Sequence, residues 1–207
     1  FEWLAFAITA LAIIGLVING VLGGVIVLIW GERRLFGRFQ SRTGPNRWGP
    51  FGMLTSVADA IKTMFKEDVV PADADRILFN LAPILIAAPA ILVFAVIPFG
   101  IGTYVADLNV GVLFIMAVTS LTTLSVLTAA WSSANRIAIL SALRSVALLI
   151  SYEIPMALAL VGVIMLAGSL SLGQIIQAQG IPFILVQPLA FFVFFIAAMA
   201  EMARAPF

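Results

Sequence analysis

The chain has 207 residues, of which 63% are hydrophobic and 10% charged, and its formal net charge is +1. A soluble domain carries about 25% charged residues, so a water-soluble fold could not cover this much apolar surface and we predict an integral membrane protein. The chain contains no Cys and no His, which excludes disulfides, thiolate metal sites and His-ligated haem in this chain. Any redox cofactor is therefore expected to belong to a partner.

Five apolar runs follow one another along the chain, each long enough to cross about 30 Å of hydrocarbon as a helix. They are rich in Leu, Ile, Val, Ala and Phe without strict alternation, which favours helices over the strands of a barrel. We therefore predict an all-α integral membrane protein whose five transmembrane helices form one membrane domain, residues 1–207. The predicted spans are residues 4–30, 77–98, 110–131, 146–168 and 183–200.

The positive charges predict the orientation of these spans. Eight of the eleven Lys and Arg residues lie between residues 31 and 76, and the other three are Arg136, Arg144 and Arg204. If all five runs cross the membrane, every cation falls on one side, which the positive-inside rule makes the cytoplasm. We therefore expect the N-terminus outside and a cytoplasmic Arg-rich first loop.

The first cytoplasmic loop has a helical pattern of its own. It begins with the turn-forming stretch GPNRWGPFG. Beyond this stretch, apolar residues recur at helical spacing while Asp59 and Lys62 fall on another face. The pattern predicts an amphipathic helix over residues 53–66 that lies in the membrane interface. Residues 170–177, on the opposite side of the membrane, are a second candidate for such a helix.

Glu153 is the acid whose position is hardest to explain as surface charge. It lies seven residues beyond Val146, about 10 Å into a predicted span at 1.5 Å per residue. A carboxylate at that depth is costly unless it is paired, hydrated or neutral. Pro155 removes a helix hydrogen bond to the Ser151 carbonyl, which leaves an acceptor nearby. Glu153 is a candidate proton or water site, and a structural ion pair with a neighbouring helix is the alternative.

Three further acids join Glu153 in the predicted cytoplasmic half. Glu32 and Glu201 lie at the cytoplasmic ends of spans with Arg close by, so a helix-end ion pair would explain either one. Together with Asp59 and Glu153 they could form a chain of carboxylates from the interface into the bilayer. The acids of the first loop other than Asp59 are expected to be mostly solvated: Glu67, Asp68, Asp73 and Asp75.

The Arg-rich stretch between residues 31 and 52 has several possible roles. Basic residues beside an amphipathic helix often bind anionic lipid head groups. Docking of a peripheral partner, or guidance of a polar head group into a cleft, would need the same charges. The stretch shows no stacking-aromatic or recognition-fold signature of nucleic-acid binders, so no nucleic-acid partner is expected.

Several motifs occur in an order and spacing that resemble one known family. They are GERRLFGRFQSRTGPNRWGPFG, ADAIKTMFKEDVVP, ADLNVGVLF, WSS, SALR, SYEIP and AEMARAPF. The chain resembles the quinone-site membrane subunit of respiratory complex I, the bacterial NADH–quinone oxidoreductase. The resemblance runs from about Glu32 to the last residue, with the first span in register before it.

The resemblance implies a membrane protein that takes part in forming a quinone chamber and couples quinone reduction to proton translocation. It implies quinone as substrate, no cofactor or metal bound by this chain, and FMN and iron–sulfur clusters in partner subunits only. The expected partners are the hydrophilic arm, the antiporter-like membrane subunits and lipid. On the proton path it places Glu32, Asp59, Glu153 and Glu201. Around the quinone chamber or its mouth it places Arg33, Arg42, Ala60, Lys62, Phe65 and Arg204.

The chain also departs from the family pattern. The family continues after APF into an acidic loop and further spans, so we expect a C-terminally truncated fragment whose start also lies slightly late. Where the family commonly reads AETNRAPF, this chain has Met202 and Ala203. This substitution removes two polar side chains beside Glu201 and changes the hydration expected there.

Other function classes stay open on the sequence. The related membrane subunit of an energy-converting hydrogenase or formate-hydrogenlyase-type complex would share the scaffold without using quinone. A stand-alone ion transporter is disfavoured because no inverted repeat or pair of broken helices is evident. A purely structural membrane anchor would not explain Glu153.

Overall fold

The computed structural model describes residues 2–100 and 105–202, and helices are the regular structure of this part of the chain. The chain divides into two compact units, Phe1–Val69 and Val70–Phe207. The expectation of one membrane domain therefore stays a prediction. The helices are α1 (Glu2–Phe39), α2 (Leu54–Met64), α3 (Arg76–Val93), α4 (Gly111–Ser132), α5 (Arg136–Ala167), α6 (Leu172–Gln177), α7 (Phe183–Val186) and α8 (Pro188–Glu201).

In the first unit, α1 is much longer than the span predicted for it. It has 38 residues and is about 57 Å long at 1.5 Å per residue. The helix continues from Trp30 to Phe39, so the first three arginines lie on helix rather than in a loop. The reason is that this stretch holds no Pro and contains three Arg, one Glu and one Leu, which are good helix formers. The edge of an apolar run marks the edge of the membrane and not the end of the helix.

The connection from α1 to α2 folds back tightly on the end of α1. The Arg42 N–H donates to the Gly37 carbonyl over 2.9 Å. A Cβ on Gly37 would lie 3.0 Å from the Gly44 nitrogen, so glycine permits this close approach. A single 3₁₀ turn, Pro50–Gly52, then leads into α2.

The second unit is built around four helices that pack in series. α3 contacts α4, α4 contacts α5, and α5 contacts α8. The buried residues on these helices are mostly small, which lets helix backbones approach closely in a membrane protein. They include Ala82, Val118, Ser125, Ala130, Ser132, Ala142, Ala159, Ala197 and Ala200.

Asp75 is exposed, as expected of a loop charge, and it also has a structural role. Its side chain caps α3 by accepting hydrogen bonds from the backbone of Ile77 and Leu78, over 3.1 and 3.5 Å. Its own N–H donates to the Ser132 carbonyl over 3.0 Å. Asp75 therefore supplies the hydrogen-bond acceptor that backbone N–H groups at the start of α3 need, and its own N–H links that start to the end of α4.

Three further predicted spans have different helix limits in the structure. α3 ends at Val93, five residues before the predicted end at residue 98. α5 begins at Arg136, ten residues before the predicted start at residue 146, because the Asn135 side chain caps the helix by accepting from the Ile137 N–H over 3.0 Å. The apolar run 183–200 is split at Gln187 into α7 and α8. Pro188 causes the split because it lacks an N–H and disfavours helical geometry in the residue before it.

In the described part of the chain, four helices are long and apolar enough to cross a membrane: α1, α3, α4 and α5. α8 is apolar but has 14 residues, about 21 Å at 1.5 Å per residue. The all-α membrane fold is confirmed, while the count of five spans stays a prediction. Many large apolar side chains face outward, as a lipid-embedded surface requires.

Candidate functional site

In the first unit, the structure brings together two of the predicted site residues. Arg33 on α1 donates from its guanidinium to the Asp59 carboxylate on α2. The two side chains are 45% and 48% exposed. An ion pair this exposed contributes only about 0–1 kcal/mol to stability, so it cannot by itself fix the position of α2.

Arg42 and Arg33 share a cleft at the end of α1. The cleft has a volume of about 460 Å³, and Phe36, Thr43, Gly44 and Pro45 complete its lining. The Arg42 Nε donates to the Gln40 side-chain oxygen over 2.6 Å. Because that partner is neutral, the Arg42 charge is not neutralised by this contact, and the cleft favours an anionic or electron-rich group.

The other predicted site residues of this unit lie outside that cleft. Ala60, Lys62 and Phe65 are exposed on or just after α2, and the Phe65 side chain is 88% exposed. Glu32 is half-buried on α1 and interacts with another group of the protein.

A group of residues that the sequence reasoning missed lies beside the Arg33–Asp59 pair. The Arg34 Cζ lies 5.3 Å from the ring centroid of Trp30 and 5.0 Å from that of Phe51. The Trp30 indole N–H donates to the Phe51 carbonyl over 3.0 Å. Each cation–π contact contributes about 0.5–1 kcal/mol at an exposed site. The two adjacent arginines of GERR are visible in the sequence, but one of the two aromatic partners of Arg34, Phe51, lies far along the chain in the turn before α2.

In the second unit, Glu153 has a hydrogen-bond donor on the neighbouring helix. The hydroxyl of Thr123, a buried residue of α4, donates to Glu153 Oε1 over 3.1 Å. α5 continues through Pro155 without a break. The sequence reasoning missed Thr123, although the run of Ser and Thr in residues 119–125 was a signal for a polar face on α4.

Glu201 lies close enough to Glu153 for the two carboxylates to interact electrostatically. Glu201 also lines a cavity of about 650 Å³, together with Tyr152, Thr122 and Ser145 among apolar neighbours. Two carboxylates in a shared environment repel each other when both are charged. Each negative charge therefore disfavours the other, so a change at one carboxylate affects its neighbour.

Within each unit, the structure shows an interaction between predicted site residues. Arg33 and Asp59 meet in the first unit, and Glu153 and Glu201 lie near each other in the second. That all four acids belong to one path stays a prediction. Arg204 lies outside the described residues.

Comparison with known proteins places the chain in a family. The family model described as NADH dehydrogenase matches residues 11–207. The H subunit of the NADH-quinone oxidoreductase from Dehalococcoides mccartyi is 50% identical over 205 residues, which cover 99% of this chain and 57% of that protein. An H subunit of the same enzyme from Geobacter metallireducens is 49% identical over 207 residues, which cover 95% of this chain and 63% of that protein.

A third relative is the H subunit of the NADH-quinone oxidoreductase from Anoxybacillus flavithermus. It is 48% identical over 189 residues, which cover 90% of this chain and 57% of that protein. The chain therefore spans somewhat more than half the length of these relatives. The resemblance that the motifs indicated is confirmed, and the chain belongs to the NADH dehydrogenase family.

Proposed function

We propose that the chain is part of the quinone-site membrane subunit of a proton-pumping NADH–quinone oxidoreductase. The observation that carries this proposal is the identity of 50% and 49% to two proteins named as the H subunit of that enzyme. In this role the chain has quinone as its substrate and binds no redox cofactor. FMN and iron–sulfur clusters belong to partner subunits in the hydrophilic arm.

The basic cleft supports a role near the mouth of the quinone chamber. Arg33 and Arg42 line it; their guanidinium groups are hydrogen-bond donors, and quinone oxygens are hydrogen-bond acceptors. We assign the chamber or its mouth to these residues together with Ala60, Lys62, Phe65 and Arg204. The outward position of Phe65 suits a contact with lipid, quinone or a partner subunit.

The carboxylates supply the proposed coupling. Reduction of a quinone takes up electrons and protons together, so the charge in the chamber changes. Carboxylic acids whose charges influence one another can respond to that change in charge by binding protons or passing them on. The Glu153–Glu201 interaction supports this role, and we assign Glu32 and Asp59 to the entrance of the same path.

We further propose that the protein lies in a bacterial plasma membrane, with the N-terminus outside and the Arg-rich stretch on the cytoplasmic side. The antiporter-like membrane subunits and lipid are its proposed neighbours within the membrane. The supporting pattern is the concentration of eight of eleven cations between residues 31 and 76.

The experiment uses the full-length protein, tagged in its native membrane and purified in mild detergent. Mass spectrometry identifies the subunits that purify with it, and the same sample is assayed for NADH-driven quinone reduction. Flavin and iron–sulfur subunits with inhibitor-sensitive quinone reduction are expected. A nickel-bearing large subunit without quinone activity would instead assign the protein to a hydrogenase-type complex.

A further inference from the structure

The turn before α2 holds an aromatic residue in an unfavourable backbone conformation. Phe51 has a φ of 58°, a left-handed value that is rare for a bulky side chain. Gly49 and Gly52, close on either side, also have positive φ, 72° and 78°. A Cβ on Gly52 would collide with the Pro45 carbonyl, so the turn is tightly packed and Phe51 has little freedom to relax.

Two residues of α1 hold Phe51 in this conformation. Trp30 donates its indole N–H to the Phe51 carbonyl over 3.0 Å, and Arg34 lies against both aromatic rings, 5.3 and 5.0 Å from their centroids. Trp30 and Arg34 are four residues apart, so they lie on the same face of the helix. Backbone and side chain of Phe51 are therefore both attached to α1.

The attached turn leads directly into α2. α2 starts at Leu54, three residues after Phe51, and carries Asp59 to Arg33. The Arg33–Asp59 pair is too exposed to hold the helix alone. We propose that Trp30, Arg34 and Phe51 form a clamp that positions Asp59 against Arg33. The functional part of this inference rests on the proposed quinone-site role of that pair.

In this clamp the adjacent residues Arg33 and Arg34 have different roles. Arg33 binds a carboxylate, whereas Arg34 contacts aromatic rings, so Arg34 is a positioning residue. Arg38, one turn further along α1, is exposed and supplies a matched control. Arg34→Met and Arg38→Met remove the same charge from the same helix, but only the first removes the cation–π contacts with the two rings.

The first test measures hydrogen–deuterium exchange of residues 50–60 in the full-length protein within its native membrane complex, and it does not depend on quinone activity. Arg34→Met is expected to speed exchange about tenfold relative to Arg38→Met, while Arg34→Lys keeps most of the protection. Equal exchange in Arg34→Met and Arg38→Met would overturn the clamp.

The second test measures quinone reduction by the same complexes. Arg34→Met is expected to raise the KM for quinone about fivefold with a smaller change in kcat, because positioning and not chemistry is lost. If Arg34→Met does not assemble, Phe51→Gly removes the ring while relieving the backbone strain and carries the same expectation. Unchanged kinetics in an active complex would contradict the functional part, whereas an inactive wild type would contradict the proposed function itself.

Discussion

The hydroxyl of Thr123 on α4 donates a hydrogen bond to the Glu153 carboxylate on α5 over 3.1 Å. This contact joins a buried hydroxyl to an acid in a predicted span, where unpaired charge is costly. A hydrogen bond to a charged group contributes about 1.5–3 kcal/mol. Thr123 therefore gives the Glu153 carboxylate a hydrogen-bond donor from the neighbouring helix.

Thr123→Val should impair coupling because it removes this donor while keeping the shape of the side chain. We expect proton pumping by the intact complex to fall about tenfold, in line with a lost hydrogen bond to a carboxylate. Thr123→Ser retains a hydroxyl and should stay close to wild type. The measurement is proton uptake in proteoliposomes, and normal pumping by Thr123→Val would show that the contact is dispensable.

Glu153→Gln and Glu201→Gln should have non-additive effects. Since the two carboxylates interact, removing one charge already removes their mutual repulsion. We expect each single variant to lose most proton pumping and the double variant to be no worse than the more severe single one. Asp107→Asn, at an exposed position, is the control and should pump normally. Normal pumping and normal quinone reduction in Glu153→Gln would refute its assigned role.

Reversing the Arg33–Asp59 pair tests whether the interaction itself matters. Arg33→Asp and Asp59→Arg each place like charges together and should raise the KM for quinone. The double variant restores an opposite-charge pair and should recover part of the loss. Stability should change by less than about 1 kcal/mol because the pair is exposed. No recovery in the double variant would mean that each residue acts separately.

The all-α membrane fold could be predicted from the sequence because apolar runs and uneven charge are strong, local signals. The continuation of α1 to Phe39 could not, since hydropathy reports the membrane edge and not the helix end. The split at Gln187 had a local signal in Pro188, which a continuous apolar run concealed. The Thr123–Glu153 and Arg33–Asp59 contacts join residues on different helices, so they depend on packing that no local pattern records.

Gly37→Ala should destabilise the end of α1, whereas Gly31→Ala should not. A Cβ on Gly37 would lie 3.0 Å from the Gly44 nitrogen and 3.1 Å from the Arg42 carbonyl oxygen, and both are backbone atoms that move only with the loop. Nothing lies within 4 Å of a Cβ on Gly31 among the described residues, so alanine there should stabilise the helix by about 0.5–1 kcal/mol.

The thermal unfolding midpoint of the full-length protein in detergent measures both changes. Because Arg42 lies in the displaced loop and lines the basic cleft, Gly37→Ala should also raise the KM for quinone in the assembled complex. A midpoint for Gly37→Ala equal to that of Gly31→Ala would show that the loop moves away from α1 at little cost.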